Sequence, residues 1–256
     1  MSIQINYKNS GSKKPSTNLI LFVDKNFNIS GLKKHISSKE FSYINDLLKN
    51  SDLKKNLLFF EVDSKKTIFL VSIKEKIESS DIESLGAEFH GYINYDKKRE
   101  YFINSDSISS KFENFLGHFL HGLKLKSYEF NIYKSKKNTK LISINLIGNK
   151  NKITTQNELR FRAIEKGTFF ARDLVSEPPN VLNPREYVNR LLKLKKLGIK
   201  VTVYNESQMK NLGMHSLLGV GRGSINDSFL VTLEWNGNKK NKKAPLSFVG
   251  KGVCFD

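Results

Sequence analysis

The sequence predicts an α/β fold organised as two domains. Strand-length apolar runs alternate with stretches of helical period along the 256 residues. A polar, glycine-containing segment, Gly148-Asn149-Lys150-Asn151-Lys152, interrupts the alternation and reads as a linker. No internal repeat or long low-complexity stretch is evident. The expected division is residues 1–150 and residues 151–256.

In the first domain, Leu19-Ile20-Leu21-Phe22-Val23 is uniformly apolar and reads as a buried strand. Phe41 to Leu48 reads as a helix, because Phe41, Ile44, Leu47 and Leu48 share one face. Leu57 to Val62 and Thr67 to Ile73 read as strands around the turn Asp63-Ser64-Lys65-Lys66. Ser79-Ser80-Asp81 marks a helix start, since short polar side chains accept the free amide protons of a first turn. Ile82, Leu85, Gly86 and Phe89 follow at helical spacing. Another helix is expected from Ser110 to Leu125, with Phe112, Phe115, Leu116, Phe119, Leu120 and Leu123 as its stripe. Leu141 to Ile147 alternates, so one face of that strand is more polar than the other.

In the second domain, a long helix is expected from about Asn157 to Val175, and Pro178-Pro179 bars its continuation. Asn183 as cap and Pro184 at the first helical position start another. That helix turns Tyr187, Val188, Leu191 and Leu194 inward and ends near Gly198. Ile199 to Tyr204 reads as a strand and Glu206 to Leu212 as a short helix. Phe229 to Trp235 and Leu246 to Val249 read as two more strands.

Composition narrows the function classes. No apolar run approaches the ~18 residues a membrane span requires. The N-terminus has no basic head followed by an apolar stretch, so no signal peptide is expected. A single cysteine, Cys254, excludes an intrachain disulfide and suits a reducing cytoplasm. The formal charge of +18 raises a nucleic-acid reading. Only seven of the 43 basic residues are Arg, the side chain that bidentate phosphate and base recognition favours, and the lysines are scattered. A solvated lysine-rich surface is the expected state, with nucleic acid not the expected partner.

Most chemical content lies in Val249-Gly250-Lys251-Gly252-Val253-Cys254-Phe255-Asp256, where an apolar run ends in a glycine-bracketed lysine and an aspartate follows five residues later. A divalent cation accepts carboxylate oxygen readily, and an amine nitrogen once its proton is lost. By spacing alone, Lys251 and Asp256 are an ordinary surface pair. His118 and His121 could ligate a metal, but without a cysteine or carboxylate cluster nearby they read as packing or surface residues. Gly219-Val220-Gly221-Arg222-Gly223 lacks the context of a phosphate loop and reads as a tight structural loop. Cys254 has no identifiable histidine and acid to activate it. Arg172 and Asp173 read as a structural pair at a helix end.

Several segments together resemble the leucyl (cytosol) aminopeptidase family. Val249 to Asp256 resembles its first metal-binding motif, V-G-K-G-[VIL]-[TC]-F-D. Ala171 to Pro184 resembles A-R-D-L-x-N-x-P-x-N-x-L-x-P, departing at Ser176. Gly213-Met214, Leu217-Leu218, Gly219 to Ser224 and Leu233-Glu234-Trp235 match further elements, as do Gly122 and Tyr128 to Lys134. The resemblance implies a macro-domain-like N-terminal α/β domain, followed by the opening of a mixed α/β metallo-aminopeptidase catalytic domain. It implies two divalent metal ions (Mn²⁺ or Zn²⁺), with Lys251 ligating one and Asp256 bridging both. It also implies peptide substrates, release of N-terminal residues (often Leu), a homo-hexamer at full length and a cytoplasmic location. The remaining ligands and catalytic groups would lie downstream, so no catalytic side chain and no organic cofactor site is assigned here, and the chain alone is expected to be inactive. The alternatives are a non-catalytic α/β binding or assembly module and a basic nucleic-acid-binding protein.

Overall fold

The computed structural model describes residues 2–7, 15, 17–95, 99–109, 111–135, 141–238, 240, 243 and 245–254. The chain divides into two compact units, Met1–Phe170 and Ala171–Asp256. The division falls inside a long helix, whereas the sequence places a linker at 148–152.

The first unit is a six-stranded sheet between helical layers. Its strands are β1 (Ser2–Asn6), β2 (Asn18–Asp24), β3 (Leu57–Glu61), β4 (Thr67–Ile73), β5 (Glu100–Asn104) and β6 (Leu141–Ile147). They lie in the order β1-β6-β5-β2-β4-β3, all parallel except β3, which runs antiparallel to β4. Parallel sheets covered on both faces need continuous apolar strands, which explains the uniform run of β2. Ile20 and Phe22 enter one core, with Phe89, Phe115, Phe119 and Leu123. Leu19, Leu21 and Val23 enter the other, with Leu32, Ile36 and Ile44.

Three helices cover the sheet: α1 (Ser38–Leu48), α2 (Ser79–Tyr95) and α3 (Phe115–Lys126). The α2–α3 contact is close enough to need glycine on each helix. A Cβ added at Gly86 would lie 1.9 Å from the Phe119 carbonyl oxygen, and one at Gly122 would lie 1.9 Å from that of Glu83. α3 begins at Phe115 rather than Ser110. Asn114 at its N-cap takes φ +56, a left-handed conformation that cannot continue a helix upstream, so Phe112 lies outside it. Ser110 is outside the described residues. β1 and β5 were not expected from the sequence; each is five residues long, β1 pairing on one side with β6 and β5 on both sides with β6 and β2.

α1 illustrates how one carboxylate serves two purposes. Glu40 Oε2 accepts from the Ser37 amide at 2.7 Å, closing a capping box. Its Oε1 meets the Lys66 ammonium at 2.6 Å, with both side chains largely buried. Burial pushes the Glu40 carboxyl up, but the Lys66 and Ser37 hydrogen bonds outweigh it and hold the group below its ordinary range. A depressed folded-state pKa adds stability above the unfolded value, and that stability is lost as pH falls through the folded one. Glu40→Gln is therefore expected to destabilise the protein at pH 7 by roughly 1–3 kcal/mol. The gap from wild type should close as the solution is acidified. Urea denaturation across pH checks this; a gap independent of pH would contradict it.

His118 and His121 are packing residues. His118 Nδ1 lies 2.8 Å from Glu83 Oε1, and His121 Nδ1 lies 3.3 Å from Glu165 Oε1. Both rings flank Phe161, at centroid distances of 5.0 and 5.1 Å. Phe161 and Glu165 belong to α4 (Thr155–Ser176). No helix among the described residues is long and apolar enough to cross a membrane.

Candidate functional site

The chemistry-bearing part of the second unit starts from an elbow between two helices. α4 stops at Ser176 because Pro178 and Pro179 cannot donate the next backbone bonds. The Val181 and Leu182 amides bond back to the Pro178 carbonyl at 3.0 and 2.8 Å, turning the chain. Asn183 then caps α5 (Pro184–Leu192), its side chain accepting from the Glu186 amide at 3.0 Å, with Pro184 in the first turn. Arg190 on α5 donates to Glu177 at 2.9 Å and to Glu186 at 3.1 Å. The Glu177 carboxyl is only 4 % exposed, so this guanidinium ties α5 to the residue just past α4. The same hydrogen bond from Arg190, helped by Asn189, holds the Glu186 carboxyl below its usual range.

Beyond α5 a 3-10 turn leads to Gly198, whose φ of +83 suits glycine. β7 (Lys200–Tyr204) follows, then α6 (Glu206–Asn211), α7 (His215–Gly221) and β8 (Leu230–Glu234). β7 and β8 pair antiparallel, Lys200 opposite Glu234 with their charges 3.1 Å apart. Met209 of α6 is fully buried, and Asn205 and Gln208 form a capping box before it. Gly219 to Gly221 is the last turn of α7, with Arg222 as its cap, so the expected loop covers only the residues that follow.

Residues 245–254 form neither helix nor strand. The strand expected over Leu246–Val249 is absent: its side chains are exposed (83 % for Leu246, 89 % for Phe248, 99 % for Val249), and no strand among the described residues pairs with it. An apolar run becomes a strand only when another segment pairs with its backbone. Lys251 is exposed on this segment and makes no hydrogen bond or ion pair among the described residues. Next to it, a Cβ added at Gly252 would stand 2.8 Å from Cε1 of Tyr187, so the ring of α5 lies against the glycine backbone. Cys254 is half-buried, and burial pushes its thiol up, away from the thiolate that a nucleophile requires. Asp256 lies outside the described residues.

The donor chemistry suits a divalent cation in kind but not in number. An unpaired lysine amine and a carboxylate are acceptable ligands. No group of three or more His, Cys, Asp or Glu among the described residues could hold a metal ion.

The first unit has a concavity of about 310 Å³ at the carboxyl ends of β2 and β5. Strand order reverses there, the position where open α/β sheets place ligands. Its carboxylates already serve the backbone. Asp24 Oδ1 accepts from the Asn26 and Asn28 amides, and Asp106 Oδ1 from the Asn149 and Lys150 amides at 2.7 and 2.6 Å. The sequence pointed to none of these residues, because they come from separate loops without a motif.

Residues 169–256 match the cytosol aminopeptidase family, catalytic domain. Among curated proteins, a "probable cytosol aminopeptidase" of Phytoplasma mali (strain AT) is 39% identical over 169 residues, 64% of this chain and 34% of that protein. One of Nitrobacter winogradskyi is 35% identical over 190 residues, 70% of this chain and 37% of that protein. The chain thus spans about a third of the length of these relatives. Among solved structures, a tomato leucine aminopeptidase mutant superposes with TM-score 0.68 at 19% identity, over 91% of this chain and 50% of that one. The bottromycin maturation enzyme BotP in complex with Mn gives 0.64 at 15%, over 87% and 46%. The structural likenesses establish the mixed α/β fold, and in sequence the chain is similar to the cytosol aminopeptidases.

Proposed function

We propose that this chain, a relative of the cytosol aminopeptidases, forms the macro-domain-like N-terminal part and the opening of the catalytic domain of a two-metal aminopeptidase. The observation that carries this is the glycine-bracketed Lys251, exposed and unpaired inside the segment matched to the catalytic domain. Lys251, as a free amine, and Asp256 would be this chain's groups that hold the ions. The binding of Mn by BotP supports Mn²⁺ as the first ion to test, with Zn²⁺ second. Two such ions supply Lewis-acid polarisation of the scissile carbonyl and a water of lowered pKa. This chain's own part is positional: the Arg190 bridge fixes α5, Gly250 has open space around its backbone, and Gly252 has the Tyr187 ring against it. The substrates would be peptides with a free N-terminus, often Leu, cleaved by a cytoplasmic homo-hexamer at full length. No catalytic side chain is assigned within the 256 residues.

A fusion tests this. The chain is joined after Asp256 to the corresponding downstream part of the Phytoplasma mali relative. The expected result is Mn²⁺-dependent hydrolysis of leucine p-nitroanilide that EDTA abolishes. A folded fusion that binds Mn²⁺ or Zn²⁺ without turnover would contradict the peptidase function and leave a binding module in the lead.

A further inference from the structure

The concavity of the first unit opens where two neighbouring strands part. β2 and β5 pair only as far as Ile20 and Ile103. Past that point the Phe22 amide donates to the Ser107 hydroxyl at 2.9 Å, and that hydroxyl donates to the Asn104 carbonyl at 2.7 Å. A side chain thus closes the gap that a strand ladder would have filled. Buried apolar side chains from both cores line the space: Phe22 and Ile108 from one, Leu32 from the other.

The charged groups of the lining are divided by sign. Asp24 ends β2, and Asp106 lies in the 3-10 turn that follows β5. Oδ1 of each carboxylate accepts backbone amides, whereas Oδ2 of each accepts no hydrogen bond among the described residues. Burial pushes the Asp106 carboxyl up, but the Lys150 and Asn149 amides and the nearby His35 outweigh it and hold the group below its ordinary range. Lys34 and His35 come from another segment, the end of the 3-10 turn Ser30–Lys34. Lys34 is exposed and makes no hydrogen bond or ion pair among the described residues. Asn104 Oδ1 accepts the Asp106 amide at 3.0 Å, so its Nδ2 faces His35 Nδ1, also at 3.0 Å. The neutral imidazole then carries its proton on Nε2.

We propose that this concavity binds a free α-amino acid with an apolar side chain. Its ammonium would meet Oδ2 of Asp24 and Asp106, its carboxylate Lys34 and the His35 ring, and its side chain Phe22, Leu32 and Ile108. A zwitterion suits a lining that holds both signs. A simple anion would meet two carboxylates, and a simple cation would meet Lys34. The volume of about 310 Å³ lies at the small end of ligand pockets and suits a ligand of leucine size. The site is independent of the metal function proposed for Lys251, although a peptidase would release this class of ligand as its product.

The test titrates the ¹⁵N-labelled 256-residue chain with L-leucine and follows amide shifts by NMR. Saturable shifts are expected at residues 22–24, 30–35 and 106–109. L-leucinamide lacks the carboxylate and 4-methylpentanoate lacks the ammonium. Each should bind about tenfold more weakly, the factor that one hydrogen bond to a charged group is worth. Lys34→Gln changes an exposed side chain and should weaken leucine about tenfold while leaving leucinamide unchanged. Asp24→Asn keeps the Oδ1 acceptor of the turn and should weaken leucine and leucinamide alike. Shifts that never saturate, saturable shifts confined to other residues, or equal midpoints for leucine and its two analogues would overturn the proposal. So would a leucine midpoint that Lys34→Gln leaves in place.

Discussion

Lys251→Ala in the fused protein is expected to lower kcat/KM for leucine p-nitroanilide by at least about 100-fold, since losing a direct ligand costs more than losing an outer-shell partner. Lys251→Arg should do no better. A guanidinium keeps its proton and has no lone pair to offer a metal, so it conserves charge without the donor. Initial rates at saturating Mn²⁺ decide the matter, and near-wild-type activity of the arginine form would show that Lys251 acts as a cation. The unfused 256-residue chain should release no p-nitroaniline above a Mn²⁺ blank. Among its described residues no set of three or more acidic, histidine or cysteine side chains surrounds a metal position.

Gly122→Ala should be the most destabilising single methyl addition in the first unit, with Gly86→Ala close behind. The new Cβ would stand 1.9 Å from a backbone carbonyl oxygen of the facing helix in each case. A backbone atom cannot rotate aside as a side chain can, so α2 and α3 must move apart and open the aromatic core of Phe89 and Phe119. Overpacking of this kind costs about 3 kcal/mol or more, roughly a 6–12 °C loss in Tm for a domain of this size. Gly91 supplies the control on the same helix. Nothing lies within 4 Å of its added Cβ, so Gly91→Ala should be neutral or stabilise by about 0.5–1 kcal/mol through helix propensity. Calorimetric melting of the three variants checks the ordering. Equal effects at residues 91 and 122 would mean that α2 and α3 do not approach so closely.

The sequence made legible what local pattern controls. β2, β4 and β6 followed from apolar runs and alternation, and α5 from the Asn183-Pro184 start. Long-range pairing decided the rest. β1 and β5 are short, and β1 is a strand because β6 lies beside it. Leu246 to Val249 has the composition of a strand and is none, because no partner among the described residues pairs with it. At the candidate site, the segment around Lys251 was readable from its glycines and its family likeness. Tyr187 was readable only as an inward-facing helix residue. Its contact with Gly252 spans 64 intervening positions and needs the fold to appear. Arg190 and Glu186 carried no motif, and Glu177 stood at an unspecified position of the Ala171–Pro184 segment, although the i,i+4 spacing of Glu186 and Arg190 was a usable signal.

The most direct measurement is metal content. The fusion and its Lys251→Ala form are loaded with Mn²⁺, desalted and analysed by inductively coupled plasma mass spectrometry. If Lys251 is a ligand of a two-metal centre, the parent retains about two ions per chain and the variant about one or fewer. Equal metal content in the two proteins would contradict the assignment of Lys251 to a metal site.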